Sequence, residues 1–545
     1  MDSKRLILFI IFSFSVLLLW DAWQKEQHAP SPTPTAPVVQ QTPKPSVALS
    51  GPTQSPVMTS GATQSGQRVK VRTDMVYAEI DTVGGDLRRL ELLKQHDAQD
   101  TKKNFTLFED TGGRTYVAQT GLIDAGLPTH KTVFAVDATD YALTKGEDSL
   151  RVKLSWHDGG GVIVDKIYTF HRNSYVIDVS YEIQNSSPTK LQPSAYYQLL
   201  RDGQPPMGNP KFIATYTGPA IYTEQEKFQK ISFSDIDKNK ANYPKQATDG
   251  WVGMLQHYFV GAWLPPDNLN REFYTRRLDG GLYSAGVILP MGVIEPGQKQ
   301  TLSVRLYAGP EEHKRLSAAA PGLNLTVDYG WLTVIAAPLA WVLNFIHKWV
   351  ENWGVAIILL TVLIKLVFFP LSAKSYRSMA GMRVLGPKLQ KLKEQYGDDR
   401  QRLHQAMMEL YKTEKINPLG GCLPVVVQIP VFIALYWVLL SSVEMRQAPF
   451  ALWIHDLSSP DPYYVLPIVM GITMLIQTKL NPTPPDPIQA KVMMIMPVAF
   501  SVFFFFFPAG LVLYWVVNNT LSIAQQWQIT RSLEKAKAAK GHVKQ

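Results

Sequence analysis

The segment Trp353–Pro370, WGVAIILLTVLIKLVFFP, decides how the rest of the chain is interpreted. It is apolar enough to span a membrane, but it contains one full charge, Lys365. A charge inside a span costs about 2.5–3.5 kcal/mol on insertion scales, so such a residue is a candidate functional residue. Lys365 also lies close enough to Pro370 for its ammonium to reach the headgroups as a simple anchor. The segment alone leaves both interpretations open.

Composition bounds the class of protein. The 545 residues carry a net charge of +9, which favours an anionic partner such as a membrane surface or nucleic acid. Cys422 is the single cysteine, so the chain can form neither an internal disulfide nor a thiolate metal cage. The sequence has no P-loop, HExxH or GxSxG motif, which argues against a nucleotide-driven motor or a common hydrolase. We predict a protein that needs no cofactor or metal and is not an enzyme.

The N-terminal segment predicts a membrane anchor. In residues 1–23, Lys4 and Arg5 precede an apolar run that ends at Trp20, and no small-residue cleavage site follows. An uncleaved transmembrane helix with a cytoplasmic N-terminus is favoured, and a cleaved signal peptide is the alternative. Residues 24–68 are rich in Pro, Ser and Thr, which predicts a disordered linker.

Residues 69–320 predict a large all-β domain. Short runs of alternating apolar and polar residues, such as LRVKLSW and YVIDVSYEI, are separated by Gly, Pro and Asn. This pattern indicates antiparallel strands in a sandwich, followed by a helical connector. Several aromatic and polar residues could line a sugar-binding face, although such residues are more often part of a core. They are Trp156, Tyr168, His171, Tyr196, Tyr197 and Trp251.

The C-terminal part predicts a five-helix membrane core. An amphipathic helix at 321–352 is expected to lie in the membrane interface. Apolar runs predict transmembrane helices at 353–370, 421–443, 464–480, 492–507 and 511–529. The connections are a hairpin at 371–420, an outside loop at 444–463, an inside loop at 481–491 and a basic tail at 530–545. Because basic residues concentrate in the hairpin, inside loop and tail, both termini should be cytoplasmic and the β-domain periplasmic.

The hairpin at 371–420 has a narrow apolar seam that predicts two packed helices. Five residues on its faces are predicted to contact a ribosome or an incoming chain: Met379, Met382, Arg383, Met407 and Met408. Methionine suits such adaptable contacts. A self-packed hairpin with solvated charges is the alternative.

Polar residues recur at similar depth in the predicted spans. Thr361 lies one turn before Lys365, and Gln428 lies near the cytoplasmic start of another span. The last span contains Asn518, Ser522 and Gln525, with Asn519 and Gln526 beside them. Polar groups in hydrocarbon need partners or water, so a hydrated cavity open to the cytoplasm is one solution. Independent interhelical hydrogen bonds are the other.

The motifs WGVAIILLTVLIKLVFFPLS, INPLGGCLPVVVQIPVFIALYWVL and FPAGLVLYWVVNN resemble those of the YidC/Oxa/Albino membrane insertases. The sandwich after an anchor resembles the Gram-negative form. The resemblance implies a polytopic α-helical protein of the bacterial inner membrane, with one anchor, a five-helix insertase core and a periplasmic β-sandwich. It also implies an ATP-independent insertase and chaperone that acts alone or with the Sec translocon. Its partners would be nascent membrane proteins, the ribosome and the lipid bilayer, without sequence-specific nucleic acid.

The resemblance further implies a hydrophilic groove that admits substrate. Its residues here would be Thr361, Lys365, Gln428, Tyr514, Trp515, Asn518 and Ser522. Family members usually have arginine at the position of Lys365, and lysine keeps the charge without the planar fork. Two other classes fit less well. A secondary transporter would show two similar halves, and a glycan enzyme would need a carboxylate pair that no spacing in the β-domain singles out.

Overall fold

The computed structural model describes residues 66–98, 100–206, 215–397, 399–414, 423–481 and 487–542. The described chain divides into a sandwich unit, which ends at Thr326, and a helical unit, which begins at Val327. The predicted anchor, the linker up to residue 65, the end of the hairpin and residues 482–486 of the inside loop lie outside the described residues.

The sandwich unit is built almost entirely from strands, as the period-two pattern predicts. Its strands are β1 (Arg68–Arg72), β2 (Val76–Asp81), β3 (Leu87–His96), β4 (Asn104–Phe108), β5 (Tyr116–Ile123), β6 (Ala135–Val136), β7 (Asp140–Ala142), β8 (Ser149–His157), β9 (Val162–His171), β10 (Val176–Asn185), β11 (Ser194–Asp202), β12 (Gly218–Thr223), β13 (Lys227–Lys230), β14 (Gln246–Ala247), β15 (Trp251–Gln256), β16 (Phe259–Leu264), β17 (Arg271–Leu278), β18 (Leu282–Pro290) and β19 (Lys299–Pro310). Two short helices accompany them, α1 (Phe233–Asp237) and α2 (His313–Ala319).

The strands form two sheets, which confirms the predicted sandwich. One sheet has the order β14-β17-β18-β11-β5-β3-β2-β1-β7, with β4 paired to β3. The other has the order β13-β12-β15-β16-β19-β10-β9-β8-β6. Described neighbours pair antiparallel, apart from the parallel pair of β1 and β7. In β8, Val152 and Leu154 are buried while Arg151 and Lys153 are exposed, so the alternation in the sequence reports one solvated face.

The aromatic residues considered for a sugar-binding face are mostly core residues. Tyr168, Tyr196, Tyr197 and Trp251 are at most 1% exposed. Trp156 and His171 are partly exposed, and the His171 Nε2 atom lies 2.7 Å from Asp178 Oδ2. The sugar-face interpretation is therefore wrong for the four buried residues, because the packing of both sheets covers them.

The helical unit contains eight described α-helices. They are α3 (Thr333–Val350), α4 (Trp353–Val367), α5 (Phe369–Tyr396), α6 (Arg400–Thr413), α7 (Leu423–Ser441), α8 (Val465–Leu480), α9 (Pro487–Phe503) and α10 (Ala509–His542). Each of the five predicted spans from residue 353 onward overlaps one of them. α9 begins five residues before the predicted 492, and α10 continues without a break through the predicted basic tail to His542.

A sharp bend separates the lysine-bearing helix from the hairpin. α4 ends at Val367, and the axis turns by 68° before α5 continues from Phe369. Pro370 explains the break, because its ring favours the first turn of a new helix and cannot continue the old one. The observed helix therefore ends at Val367, three residues before the predicted end at Pro370.

By length and composition, one described helix, Thr333–Val350, could cross a membrane, and the bent pair of α4 with the first part of α5 would make two. Shorter apolar helices are Val427–Ser441, Val465–Leu480 and Ala490–Phe506. The interfacial position of α3 stays a prediction. Within the helical unit, α10 packs against α4, α5 and α8, and α3 packs against α4 and α7. These contacts place α4, and Lys365 with it, among several helices.

Candidate functional site at Lys365

The start of α4 is fixed by a polar cap. Asn352 Oδ1 accepts a hydrogen bond from the backbone N–H of Val355 at 3.0 Å, as expected for an N-cap residue. Its amide nitrogen donates to the carbonyl of Phe450 at 2.9 Å. Gly354 then lies against the Phe450 ring, where an added Cβ would come within 2.0 Å of a ring carbon. The loop that contains Phe450 and the start of α4 are thus held together, which fixes the helix that carries Lys365.

The Lys365 side chain is buried and bonded to the last helix. It is 4% exposed, and its Nζ donates to Ser522 Oγ of α10 at 2.7 Å. Ser522 Oγ in turn donates to the carbonyl of Asn518 at 2.8 Å. α5, which carries Tyr376, also packs against α10. Lys365 therefore joins α4 to α10 through one serine oxygen.

The charge of Lys365 has no partner of opposite sign in the described part of the chain. Its nitrogen forms no ion pair there, and the Ser522 hydroxyl and the Asn518 carbonyl behind it are both neutral. Two further serines at the start of α5, Ser372 and Ser375, are each 4% exposed, so the buried side of this segment is also lined by hydroxyls. Among the residues that the structure describes, the site thus has a cation, neutral oxygens and no carboxylate.

Thr361 lies on the same buried side of α4 as Lys365, as predicted from the one-turn spacing. It is 1% exposed, and its hydroxyl donates to the carbonyl of Ile357 at 2.7 Å. This bond is internal to the helix, so Thr361 makes the face polar without tying α4 to a neighbour.

The polar residues of α10 divide between two neighbours. Ser522 contacts Lys365, whereas Asn519 Nδ2 donates to Thr473 Oγ1 of α8 at 3.3 Å. Gln526 Nε2 donates to the carbonyl of Leu480 at 3.1 Å, at the end of α8. These two residues fit the interhelical alternative. The buried stripe is Asn519, Ser522 and Gln526, while Asn518 and Gln525 are only partly buried.

The remaining predicted groove residues lie in or near an apolar cluster. Tyr514 is 5% exposed and stacks on Phe432 of α7, with 5.8 Å between ring centroids. Trp515 lies 4.6 Å from the same ring. Gln428 of α7 is partly exposed. The structure therefore joins Lys365, Ser522 and the backbone of Asn518, and it places Tyr514 and Trp515 against Phe432.

The hairpin forms as predicted from two helices, α5 and α6. Lys388 of α5 lies 2.5 Å from Glu414, just beyond α6, and Leu385 in the seam is 3% exposed. Met379, Met382 and Met407 are partly buried, and Met408 is 42% exposed. The side chain of Arg383 lies outside the described part of the structure.

Sequence reasoning missed the hydroxyl groups at the start of α5. Ser375 and Tyr376 lie three and four residues after Ser372, which places the three side chains on one helix face. This spacing could have identified them as a polar face of the helix. The bend at Phe368, which brings α5 against α10, was not visible in the sequence.

Comparisons with known proteins agree with this architecture. A family model described as "YidC periplasmic domain" matches residues 68–342, and one described as "60Kd inner membrane protein" matches residues 345–537. The membrane protein insertase YidC of Methylobacillus flagellatus is 62% identical over 99% of both chains. That of Nitrosospira multiformis is 58% identical over 98% of both chains.

Among solved structures, one described as an active YidC insertase with its first transmembrane domain resolved is similar at 18% identity and a TM-score of 0.40. It covers 85% of this chain and 92% of its own. The two family models place the chain among inner-membrane proteins that have a periplasmic domain. The chain belongs to the YidC family of membrane protein insertases.

Proposed function

We propose that this protein inserts membrane proteins by receiving a short polar segment of a nascent chain at Lys365 from the cytoplasmic side. The observation that carries the proposal is an ammonium that is 4% exposed and bonded to one neutral hydroxyl, with no ion pair in the described residues. An intramembrane charge without a counter-ion is costly, and such residues mark functional sites.

The chemistry of the ammonium favours an acidic ligand. A lysine ammonium has three donors and no acceptor, and Ser522 fills one of these donors. A carboxylate on the client would supply both negative charge and further acceptors, in a medium where charge-assisted hydrogen bonds are strong. An acidic segment would therefore remain at the site while its neighbouring apolar helix enters the bilayer. Water in a groove that is open toward the cytoplasm would accompany the segment.

The apolar part of the client would pass along the surface of α7 and α9. α9 presents large apolar side chains that are more than half exposed, including Met494, Ile495, Val498 and Val502. Burial of client side chains in lipid supplies roughly 0.8 kcal/mol per CH₂ group. The membrane potential adds about 2.3 kcal/mol per charge per 100 mV for an acidic segment that moves outward.

The other regions would serve delivery and assembly. The basic hairpin and tail would meet the ribosome or the emerging chain on the cytoplasmic side, and the Sec translocon would be a partner for larger clients. In this arrangement both termini are cytoplasmic, the sandwich unit is periplasmic, and the protein acts without enzyme chemistry. The support is the excess of basic residues in the hairpin, inside loop and tail.

Insertion of two matched clients tests the role of Lys365. The clients differ only in whether the segment to be moved outward contains aspartates or asparagines. We expect Lys365→Arg to insert both. Lys365→Leu should lower insertion of the acidic client about tenfold, the equivalent of about 1.4 kcal/mol, and Lys365→Glu should lower it further. Protease protection of the client in proteoliposomes measures the effect.

The matched control is Lys479→Leu, which removes an exposed lysine in the last turn of α8 and should leave both clients unaffected. Insertion of the acidic client by Lys365→Leu at the level of the unmodified protein would contradict the proposal.

A further inference from the structure

The proposed function leaves open what holds the Lys365 nitrogen at the depth where it would receive a client. Lysine presents a single charged nitrogen on a flexible four-carbon chain, and in a membrane such a chain can swing toward the headgroups. A lysine that serves as a receiving site at a fixed depth therefore needs a group that holds its nitrogen there. Arginine needs less help, because its planar fork offers five donors.

Ser522 has the geometry of such a holding group. Its only proton is committed to the carbonyl of Asn518, at 2.8 Å, one turn earlier in α10. A hydroxyl with its proton so placed offers two lone pairs, and one of them accepts from Lys365 Nζ at 2.7 Å. The backbone of α10 thus fixes the orientation of the Ser522 oxygen.

Burial makes this arrangement specific. Ser522 is 3% exposed and Lys365 is 4% exposed, so the hydrogen bond forms in a protected place where it is stronger than in water. One serine oxygen matches the single nitrogen of lysine. It could satisfy only one arm of an arginine fork.

We infer that Ser522 is the positioning residue for Lys365, and that the two form a matched pair which sets the preference of the site for acidic client segments. The inference rests on the function proposed above. Ser522 holds the ammonium at the depth where a client carboxylate meets it, and the two remaining N–H groups stay available for that carboxylate. Without Ser522 the lysine chain moves toward the cytoplasmic end of α4, and the preference for acidic segments falls.

The test is a double-mutant cycle with the aspartate and asparagine clients. Ser522→Ala should lower the acidic-to-neutral insertion ratio about tenfold, the effect of one hydrogen bond to a charged group. Ser522→Thr, which keeps the hydroxyl, should restore the ratio. In a Lys365→Arg background, Ser522→Ala should change the ratio by less than about twofold, because the arginine fork has other donors.

Thr520→Ala is the matched control. Thr520 makes the same type of bond within α10, to the carbonyl of Val516 at 2.7 Å, but it is exposed and does not contact Lys365. This variant should leave the ratio unchanged. The ratio is a readout that general damage to the protein would not move, because both clients would then be inserted less well together.

Three outcomes would overturn the inference: an unchanged ratio in Ser522→Ala, an equal loss for both clients, or an equal change in the lysine and arginine backgrounds. The proposed function fails separately. If Lys365→Leu keeps the acidic-to-neutral insertion ratio, Lys365 is not the receiving site and the proposed function fails. If Lys365→Leu lowers the ratio but Ser522→Ala does not, only the positioning role of Ser522 is refuted.

Discussion

The two units of this protein each bury a lysine, and the two lysines have opposite surroundings. Lys166 in the sandwich unit is 0% exposed, and its Nζ donates to the carbonyl of Gly84 at 2.9 Å. Its Nζ lies 5.6 Å from the ring centroids of Tyr168 and Tyr181. The negative charge of Asp86 favours the protonated form of Lys166. Lys365 in the helical unit is nearly as buried, but its described partner is one serine.

The difference separates a charge with structural partners from the charge that we propose receives a client. Lys166, on β9 of one sheet, bonds to the turn between β2 and β3 of the other sheet, where Gly84 and Gly85 both have positive φ. Tyr168 adds a hydrogen bond from its hydroxyl to the carbonyl of Gly85 at 2.6 Å. Lys166 therefore has a counter-ion, an acceptor and aromatic faces, which together offset its desolvation. Lys365 has no counter-ion of this kind in the described residues, which is why we propose that it binds a ligand.

The largest expected effect is on the stability of the sandwich unit. Lys166→Met removes the buried donor to the Gly84 carbonyl and one of the two cations near Asp86, which keeps Arg88 and Gln119, so the free energy of unfolding should fall by about 3 kcal/mol. Hydrogen exchange of the β10 amides in the full-length protein in nanodiscs measures it. Lys365→Met should leave the exchange of the α4 amides within about 1 kcal/mol of the unmodified protein, because it removes a charge that has no counter-ion in the described part of the chain. Equal protection of the β10 amides in Lys166→Met and the unmodified protein would show that Lys166 does not stabilise the sandwich unit.

A smaller effect concerns how the sandwich unit responds to acid. Burial raises the pKa of Asp86 to about 6, so the folded state holds that proton more tightly and Asp86 adds stability as the pH falls from 7 to 5. Burial lowers the pKa of His130 to about 3, so only the unfolded state takes up a proton on the histidine below about pH 6.5. His130 thus removes about 2 kcal/mol of stability by pH 5.

In the unmodified protein these two contributions oppose each other, so we expect little change in stability between pH 7 and pH 5. Asp86→Asn removes the stabilising contribution and should expose the loss caused by His130, about 2 kcal/mol over this range. Hydrogen exchange of β10 at the two pH values, corrected for the intrinsic exchange rate, measures it. Parallel behaviour of Asp86→Asn and the unmodified protein would show that buried Asp86 keeps an ordinary pKa.

The smallest effect concerns a third lysine, Lys388 of the hairpin, which has a counter-ion but is exposed. Its side chain is 60% exposed and lies 2.5 Å from Glu414. Exposed pairs contribute about 0–1 kcal/mol, so Lys388→Ala should change exchange of the α6 amides by less than about 1 kcal/mol. Glu414→Ala should have a similar effect, and the double variant should add little. A larger change would mean that ion pairing stabilises the hairpin more than solvent exposure allows.

Much of the fold could be predicted because the spacing of apolar residues shows which face of a strand or helix is buried. The alternation in β8 and β10 predicts strands, and the apolar runs predict the helices within a few residues. The shared helix face of Thr361 and Lys365 followed from their spacing, whereas the burial of both side chains is seen only in the structure. Patterns were less informative where both faces of a strand are covered. In β15 and β16 every residue is buried, so alternation no longer marks the inner side.

The sequence by itself determined that a lysine lies within an apolar helix, that hydroxyl and amide groups recur in the last helix, and that a β-rich domain precedes them. Only the tertiary structure decided that Lys365 pairs with Ser522, 157 residues later, and that Asn519 and Gln526 bond α8 instead. The physical reason is that helical periodicity defines which residues share a face, whereas the neighbour of that face depends on how helices pack. The bend at Phe368, which turns α5 toward α10, likewise depends on how the helices pack.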